Sequence, residues 1–560
     1  AVSGITAANK VYDGKTSATL NTSAASLAGI VSGDSVTVAG GTGVFADKNV
    51  GVGKTVSISG LSLGGADAGN YTLGASAAST SADISKATIS GVSGITIKDK
   101  VYDGTTLATT ATAGANFAGL ISGDQVTLGT LNAVFADRNA GTGKTVNLTN
   151  LVLSGADSGN YTLAGTIAPA TGNITVRPLA TWTASSGGSW GSAGNWDALP
   201  DGSNVLAVSI PSNVSVTYDL PGSTTLQSFG GAGTLSVASG NLSIAGGLTT
   251  PQYSQSGGTL NLGGAFNVNG SFSQTAGQIS TTGPVVVTQS SGNLNVGAIT
   301  APAISLNATS GSIGQSGALV TSGLLATQSS GSTLLNNAGN RIAAFRASSS
   351  GVGDIGLTNF GVMDVQGIST ASGNITVVDT GGISTSGKVV ANGGKVSMTA
   401  NSPLTIGTDG VTATGDIALV ATNLTSSGNM TLNGPLVSSA GAVSMNAASN
   451  FVQNSSVTAA AGIAVSAGGT VTLGPSATSV GNPVSYTSSG AAVAAPVGSK
   501  TSGGGAPTDF VVTFLAQFEK TVVEPEQVTK VVVADPLNPS ESGKAKEKKG
   551  LAVEGEICAR

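Results

Sequence analysis

The sequence has no histidine and one cysteine, Cys558. The first absence removes the imidazole base, the Ser-His-Asp triad and every His-ligated metal centre. The second removes an internal disulfide and a thiolate zinc site. Charge is scarce as well. Asp, Glu, Lys and Arg make up 9% of the 560 residues, against roughly 25% in ordinary soluble domains. Aromatics are 4%, and no Glu occurs before Glu519. No apolar run reaches the ~20 residues of a membrane helix; the longest, from Phe510 to Phe518, is strand-sized. A net charge of −5 and a pI near 4.8 leave no basic field for nucleic acid or an anionic membrane. The common hydrolases and metalloenzymes are therefore disfavoured. The chain reads as non-enzymatic, with no catalytic, cofactor-binding or metal-site residue and no cofactor. It opens at Ala1 with neither Met nor a charged-then-apolar leader, as a fragment or processed product would.

What is present is patterned. There are 84 Gly among many Ala, Ser and Thr, and the charges are unevenly spread. Residues 1–180 hold 20 of the 49, residues 181–500 hold 13, and residues 501–560 hold 16. Three composition regimes imply at least three architectural units.

The first is a duplication with a period of 90 residues. Val11-Tyr12-Asp13-Gly14 recurs as Val101-Tyr102-Asp103-Gly104, and Ser32-Gly33-Asp34 as Ser122-Gly123-Asp124. Phe45-Ala46-Asp47-Lys48-Asn49 recurs as Phe135-Ala136-Asp137-Arg138-Asn139. Gly65-Ala66-Asp67-Ala68-Gly69-Asn70-Tyr71 returns as Gly155-Ala156-Asp157-Ser158-Gly159-Asn160-Tyr161. Without a gap, 44 of 90 positions are identical. Short alternating stretches between Gly, Asp and Asn turns predict about seven strands per copy. That number suits a small β-sandwich of immunoglobulin type, with a β-grasp-like arrangement as the alternative. Tyr12, Phe45 and Tyr71 are expected in the core. The repeated Asp and Asn residues could hold calcium, but they lack Asp-x-Asp-x-Asp spacing and a closing Glu. Turn-capping through Asx hydrogen bonds is the expected role.

These blocks resemble the YDG domain, whose name is the Tyr-Asp-Gly at 12–14 and 102–104. The resemblance covers residues 1 to about 178. It implies tandem stalk modules of very large bacterial surface proteins, which project something from a cell without catalysis.

Trp182, Trp190 and Trp196 follow within 15 residues. Indole faces stack on sugars, so a carbohydrate platform is one reading. The favoured reading is a cap that closes the end of the next β-domain, as repeat arrays require. From about 221 to 487 short units recur, among them Thr234-Leu-Ser-Val237, Asn374-Ile-Thr-Val377 and Val471-Thr-Leu473. Ile375, Val396 and Ile417 are 21 apart, and Val443 comes 26 later. Coils of about 20 residues predict a right-handed parallel β-helix in which each coil buries the next coil's apolar side chains. The outward Ser, Thr and Asn then hydrate without charge.

The expected architecture is all-β. YDG repeat 1 spans 1–90, repeat 2 spans 91–178, and a Trp-rich junction or cap spans 179–220. The parallel β-helix spans 221–487, a Gly/Ala/Ser linker 488–508, and a charged C-terminal segment with a disordered tail 509–560.

Leu334-Leu-Asn-Asn-Ala-Gly-Asn340-Arg-Ile342 is similar to a pattern of filamentous-haemagglutinin-like exoproteins. With the YDG copies it resembles the C-terminal portion of an adhesin of the two-partner secretion pathway. That resemblance implies a secreted or outer-membrane-surface location. It also implies an outer-membrane secretion transporter as partner, and glycans or proteins of host or neighbouring cells as targets. The family's secretion domain is not among these residues, so the export route rests on resemblance. Alternatives are the stalk of a contact-dependent toxin-delivery protein and a passive biofilm-matrix scaffold. Asn-x-Ser/Thr sites such as Asn70, Asn147, Asn160, Asn213 and Asn374 are expected by composition, although the resemblance permits glucosylation. A C-terminal Cys pair can anchor such adhesins; Cys558 alone forms no intrachain knot and either pairs with another molecule or stays a free thiol.

Overall fold

The computed structural model describes residues 1–514, apart from 76–77, 165–166, 424–427, 491–492, 495–499 and 503–510. The strand-sized apolar run from Phe510 is therefore described only over Val511–Phe514, which pairs with Val484–Ser488. The charged tail and Cys558 lie outside the described residues. Among those residues there is no α-helix; three single turns of 3₁₀ helix interrupt an otherwise all-β chain.

Each repeat is built on one main sheet. In repeat 1, Thr37–Phe45 pairs antiparallel with Gly51–Gly64, which pairs antiparallel with Ala78–Ser85. Lys10–Val11 adds a parallel edge and Ser17–Ala18 an antiparallel one, giving five strands. Short antiparallel ribbons flank the sheet, pairing 2–3 with 26–27 and 6–7 with 20–21. Repeat 2 has the same plan, with Asn132–Phe135, Gly141–Thr149, Ala170–Thr175 and Lys100–Val101 in its sheet. The long strand of repeat 1 turns at Gly60 (φ +70°), and Asn150 (φ +51°) stands 90 residues later. Asn is the side chain that tolerates this left-handed conformation best after Gly, so the duplicated bend survives the substitution.

From the junction onward the chain is a parallel β-solenoid of about 13 turns. One column of inward residues runs Leu294, Ile313, Thr333, Ile355, Ile375, Val396, Ile417, Val443, Ile463 and Val484, each directly paired with the next. The 21-residue spacing read from the sequence is therefore one coil. The longer step before Val443 falls between Ile417 and Met430, leaving the column in register. Alternation is strict in most strands: Ile463–Ala467 buries Ile463, Val465 and Ala467 and exposes the residues between. Coils about 4.8 Å apart leave no room for side chains where turns stack. At Gly240 (φ +67°) a Cβ would lie 2.0 Å from the Leu220 carbonyl oxygen of the coil below. The Gly-rich composition is thus what close-stacked corners require.

Polar corners are paired in the interior. Asn340 is fully buried; it donates to the carbonyls of Leu335 (3.1 Å) and Thr358 (2.9 Å) and accepts the Leu319 amide (2.9 Å). The Asn340 of the Leu-Asn-Asn-Ala-Gly-Asn motif is therefore a corner brace between three coils. Asn359 continues the line, donating to Asp379 at 2.8 Å. Burial pushes the Asp379 carboxyl up, opposed by the Asn359 amide and two backbone N–H groups.

Candidate functional site

The repeated Asp side chains of the two N-terminal copies are engaged in turns and hairpin ties. Asp13 accepts from Lys10 Nζ at 2.7 Å and from the Lys15 amide at 2.9 Å. Asp103 repeats this with Lys100 and Thr105. Asp67 accepts the Ser35 amide at 2.8 Å, and Asp157 the Gln125 amide at 2.9 Å. These are Asx-type turns and hairpin ties. Among the described residues no group of three or more Asp, Glu, His or Cys side chains could hold a metal.

The site where chemistry converges is the joint between modules. Tyr12 is 3% exposed, and its hydroxyl donates to Asp124 Oδ2 of the next repeat at 2.8 Å. Tyr161 donates to the same oxygen at 2.6 Å. Lys48 Nζ lies 2.7 Å from Asp124 Oδ1 and 3.1 Å from Asp157 Oδ1. Beside them the Val50 amide donates to Asn160 Oδ1 at 2.9 Å, and Asn160 donates to Asn49 at 3.1 Å. Burial works to raise the Asp124 pKa, but the bonds from Lys48, Tyr161 and Tyr12 outweigh it and hold it below the usual value. Burial, then the Asp124 carboxylate, pushes Tyr161 up to about 12. One carboxylate thus ties two tyrosines and a lysine across the joint, in charge-assisted bonds stronger than neutral ones.

The same lock closes repeat 2 onto the junction. Tyr102 is fully buried and donates to Asp201 Oδ1 at 2.8 Å and to the Leu199 carbonyl at 3.0 Å. Arg138 pairs with Asp201 Oδ2. The Ala140 amide donates to Asn204 Oδ1 at 2.8 Å, and Asn204 to Asn139 Oδ1 at 3.0 Å. Backbone pairing repeats as well. Ala87–Ile89 runs parallel to Tyr161–Leu163, and Arg177–Thr181 runs parallel to Val205–Ile210. The junction therefore reproduces, with Asp201, Asn204 and Val205, the face that repeat 2 offers with Asp124, Asn160 and Tyr161.

The three indoles are buried where repeat 2 meets the first coils, inside one continuous apolar cluster. Trp182, Trp190 and Trp196 are 5% exposed or less; Trp196 packs edge to face against Trp182 and Trp190, with ring centroids 5.0 Å and 4.8 Å apart. Their N–H groups donate to the carbonyls of Ser186, Pro200 and Trp190. Buried rings with committed N–H groups cannot stack on a sugar, so the carbohydrate-platform reading is corrected. Tyr12 and Phe45 lie in the core as expected; Tyr71 does not. It is half-buried, and its hydroxyl donates to Asp34 at 2.6 Å. Asn160 of the Asn-x-Ser/Thr sites is 5% exposed and held in the joint, whereas Asn147, Asn213 and Asn374 are exposed.

An open groove runs along one flank of the solenoid, lined by Asn307, Gln328, Arg346, Ser348, Ser369 and Lys388. Sequence reading did not single it out, because its residues come from successive coils about 20 positions apart. Arg346 and Lys388 lie beyond the stretch from 220 to 340 that carries no charge at all, among other charged residues that give no sequence signal for the groove.

The fold and the joints define a modular β protein, with tandem β modules locked in series onto a capped parallel β-solenoid. The modules can be placed more closely: residues 1–81 and 85–170 each match the YDG domain. No curated protein and no solved structure matches the chain.

Proposed function

We propose that the chain is a non-enzymatic segment of a bacterial surface or secreted adhesin, exported through an outer-membrane transporter in the manner of filamentous-haemagglutinin-like exoproteins. In this reading the YDG modules form a stalk and the solenoid a shaft that meets glycans or proteins of host or neighbouring cells. The observation that carries it is continuity of the core. A single apolar cluster extends from Tyr102 in repeat 2, through the three Trp, to Tyr486 in the last coils. A second joins Tyr12 and Phe45 of repeat 1 to Val126 and Tyr161 of repeat 2. Modules sharing cores and charged locks bend little against one another, which is what a projecting stalk needs. About 13 turns at roughly 4.8 Å each make a shaft on the order of 60 Å long. The groove with Arg346 and Lys388, neither ion-paired among the described residues, is the surface we assign to contact.

The test is adherence of cells that carry the intact protein against cells lacking it, both to host cells and to one another. Loss of either supports the reading, with surface exposure checked by protease shaving. Unchanged adherence and aggregation would overturn it.

A further inference from the structure

The acceptor half of the joint occurs three times, and two of the three are covered. Repeat 2 presents Asp124, Asp157, Asn160 and Tyr161 to Tyr12, Lys48 and Asn49, and the junction presents Asp201 and Asn204 to Tyr102, Arg138 and Asn139. The third copy is on repeat 1, where Asp34, Asp67, Asn70 and Tyr71 stand 90 residues before their counterparts.

This face is already set in the acceptor geometry. Tyr71 donates to Asp34 Oδ2 at 2.6 Å, as Tyr161 does to Asp124 Oδ2 at 2.6 Å. Asp67 Oδ2 accepts the Ser35 amide, as Asp157 Oδ2 accepts that of Gln125. The Oδ1 atoms of Asp124 and Asp157 are the ones that receive Lys48; Asp34 and Asp67 have no ion-pair partner among the described residues. Asn70 is exposed where Asn160 is 5% exposed. Val31 is 64% exposed, whereas its counterpart Ile121 packs into the joint against the Gly14 turn. Among the described residues, 71–73 carry no strand partner, whereas Tyr161–Leu163 pairs with Ala87–Ile89.

We propose that this face of repeat 1 docks a further YDG-type module joined ahead of Ala1. Its Tyr-Asp-Gly turn would meet Asp34, its Asp-Lys/Arg-Asn loop would meet Asp34, Asp67 and Asn70, and its exit strand would pair along 71–73. The occupant follows from continuity with the established joints and from charge: two half-buried carboxylates without an ion-pair partner among the described residues stand where the donor end brings a Lys or Arg and a Tyr hydroxyl. A second copy of this chain cannot supply that end, because Tyr12 and Tyr102 are both engaged within it.

The test fuses a second copy of residues 1–90 ahead of Ala1 in the full chain, which preserves the 90-residue period. Amide exchange at 71–73 is expected to slow by at least about tenfold on extension. Asp34→Ala should remove that protection in the extended chain while lowering the melting of the unextended chain no more than Tyr71→Phe does, since both lose the same bond within repeat 1. Asp34→Asn, which keeps size and one acceptor, should weaken protection less. A folded extra module with no protection at 71–73 would overturn the proposal. So would dimers of the unextended chain that Asp34→Ala dissolves, since the face would then take a second copy.

Discussion

The hydroxyl of Tyr12 donates to Asp124 Oδ2 at 2.8 Å across 112 residues of sequence, and Tyr102 makes the same 2.8 Å bond to Asp201. The Tyr of each Tyr-Asp-Gly is thus a coupling residue between modules as well as a core residue. Its neighbour Asp13 shapes the turn locally through Lys10 and Lys15.

Tyr12→Phe keeps the ring in the core and removes one bond to a nearly buried carboxylate. A bond to a charged group contributes about 1.5–3 kcal/mol; the loss here should fall at the lower end, because Asp124 keeps Tyr161 and Lys48. Urea unfolding of the full chain should begin at a lower urea concentration. Tyr71→Phe, on the exposed face, should cost clearly less.

Trp190→Ala should separate the YDG modules from the solenoid. Trp190 is fully buried, touches Trp196 and Tyr218, and bonds the Pro200 carbonyl. Large-to-small changes at such sites cost about 3–5 kcal/mol. The expected outcome is a single thermal transition splitting in two, read by calorimetry, with new protease cuts between 180 and 220. An unsplit transition of unchanged midpoint would show that the cap does not couple them.

Asn340→Ala leaves the Leu319 amide and the Leu335 and Thr358 carbonyls buried without their partner. Each stranded group costs about 1–3 kcal/mol, so this polar-to-small change should destabilise the solenoid as much as a core truncation. Ile375→Ala, in the fully buried column, is the comparison, with about 2–5 kcal/mol expected. Midpoints in guanidinium chloride would rank the two.

The module joints should weaken at both ends of the pH scale. Asp124 has a lowered pKa in the fold, so its contribution is present above the unfolded value of 3.8 and lost as pH falls through the folded value. Tyr161 is raised from 10.0 to about 12, so its contribution is present below 10 and lost as pH rises through about 12. Asp379 works in the opposite sense to Asp124. Its raised pKa means that its contribution falls as pH climbs past 3.8, which favours the solenoid over the joints in acid. Separate unfolding of the two parts at pH 3 to 4, stalk first, is the expected result. Loss of the solenoid first would contradict it.

Replacing Arg346 and Lys388 together by Ala removes two exposed cations from one groove without touching the core. Surface changes of this kind shift stability by less than about 0.5 kcal/mol. If the groove is the contact surface, adherence falls several-fold with an unchanged melting temperature. Equal adherence would move the contact elsewhere on the shaft.

The sequence by itself determined the periods. A 90-residue duplication and coils of about 20 residues are visible because strand alternation and turn chemistry are local, and each repeat writes them again. It also determined that Tyr12 and Phe45 are core residues. Tertiary structure alone decided which partners meet. Nothing in the chain links Asp201 and Asn204, three positions apart, to Asp124 and Asn160, which come from separate loops of a folded repeat. Nor does the sequence distinguish Tyr71 from Tyr161, which sit in the same Gly-Asn-Tyr-Thr-Leu motif. One is half-exposed and the other buried, because burial depends on whether another module packs against that face. Periodicity is a property of the strand; docking is a property of two surfaces, and it is fixed only when both have folded.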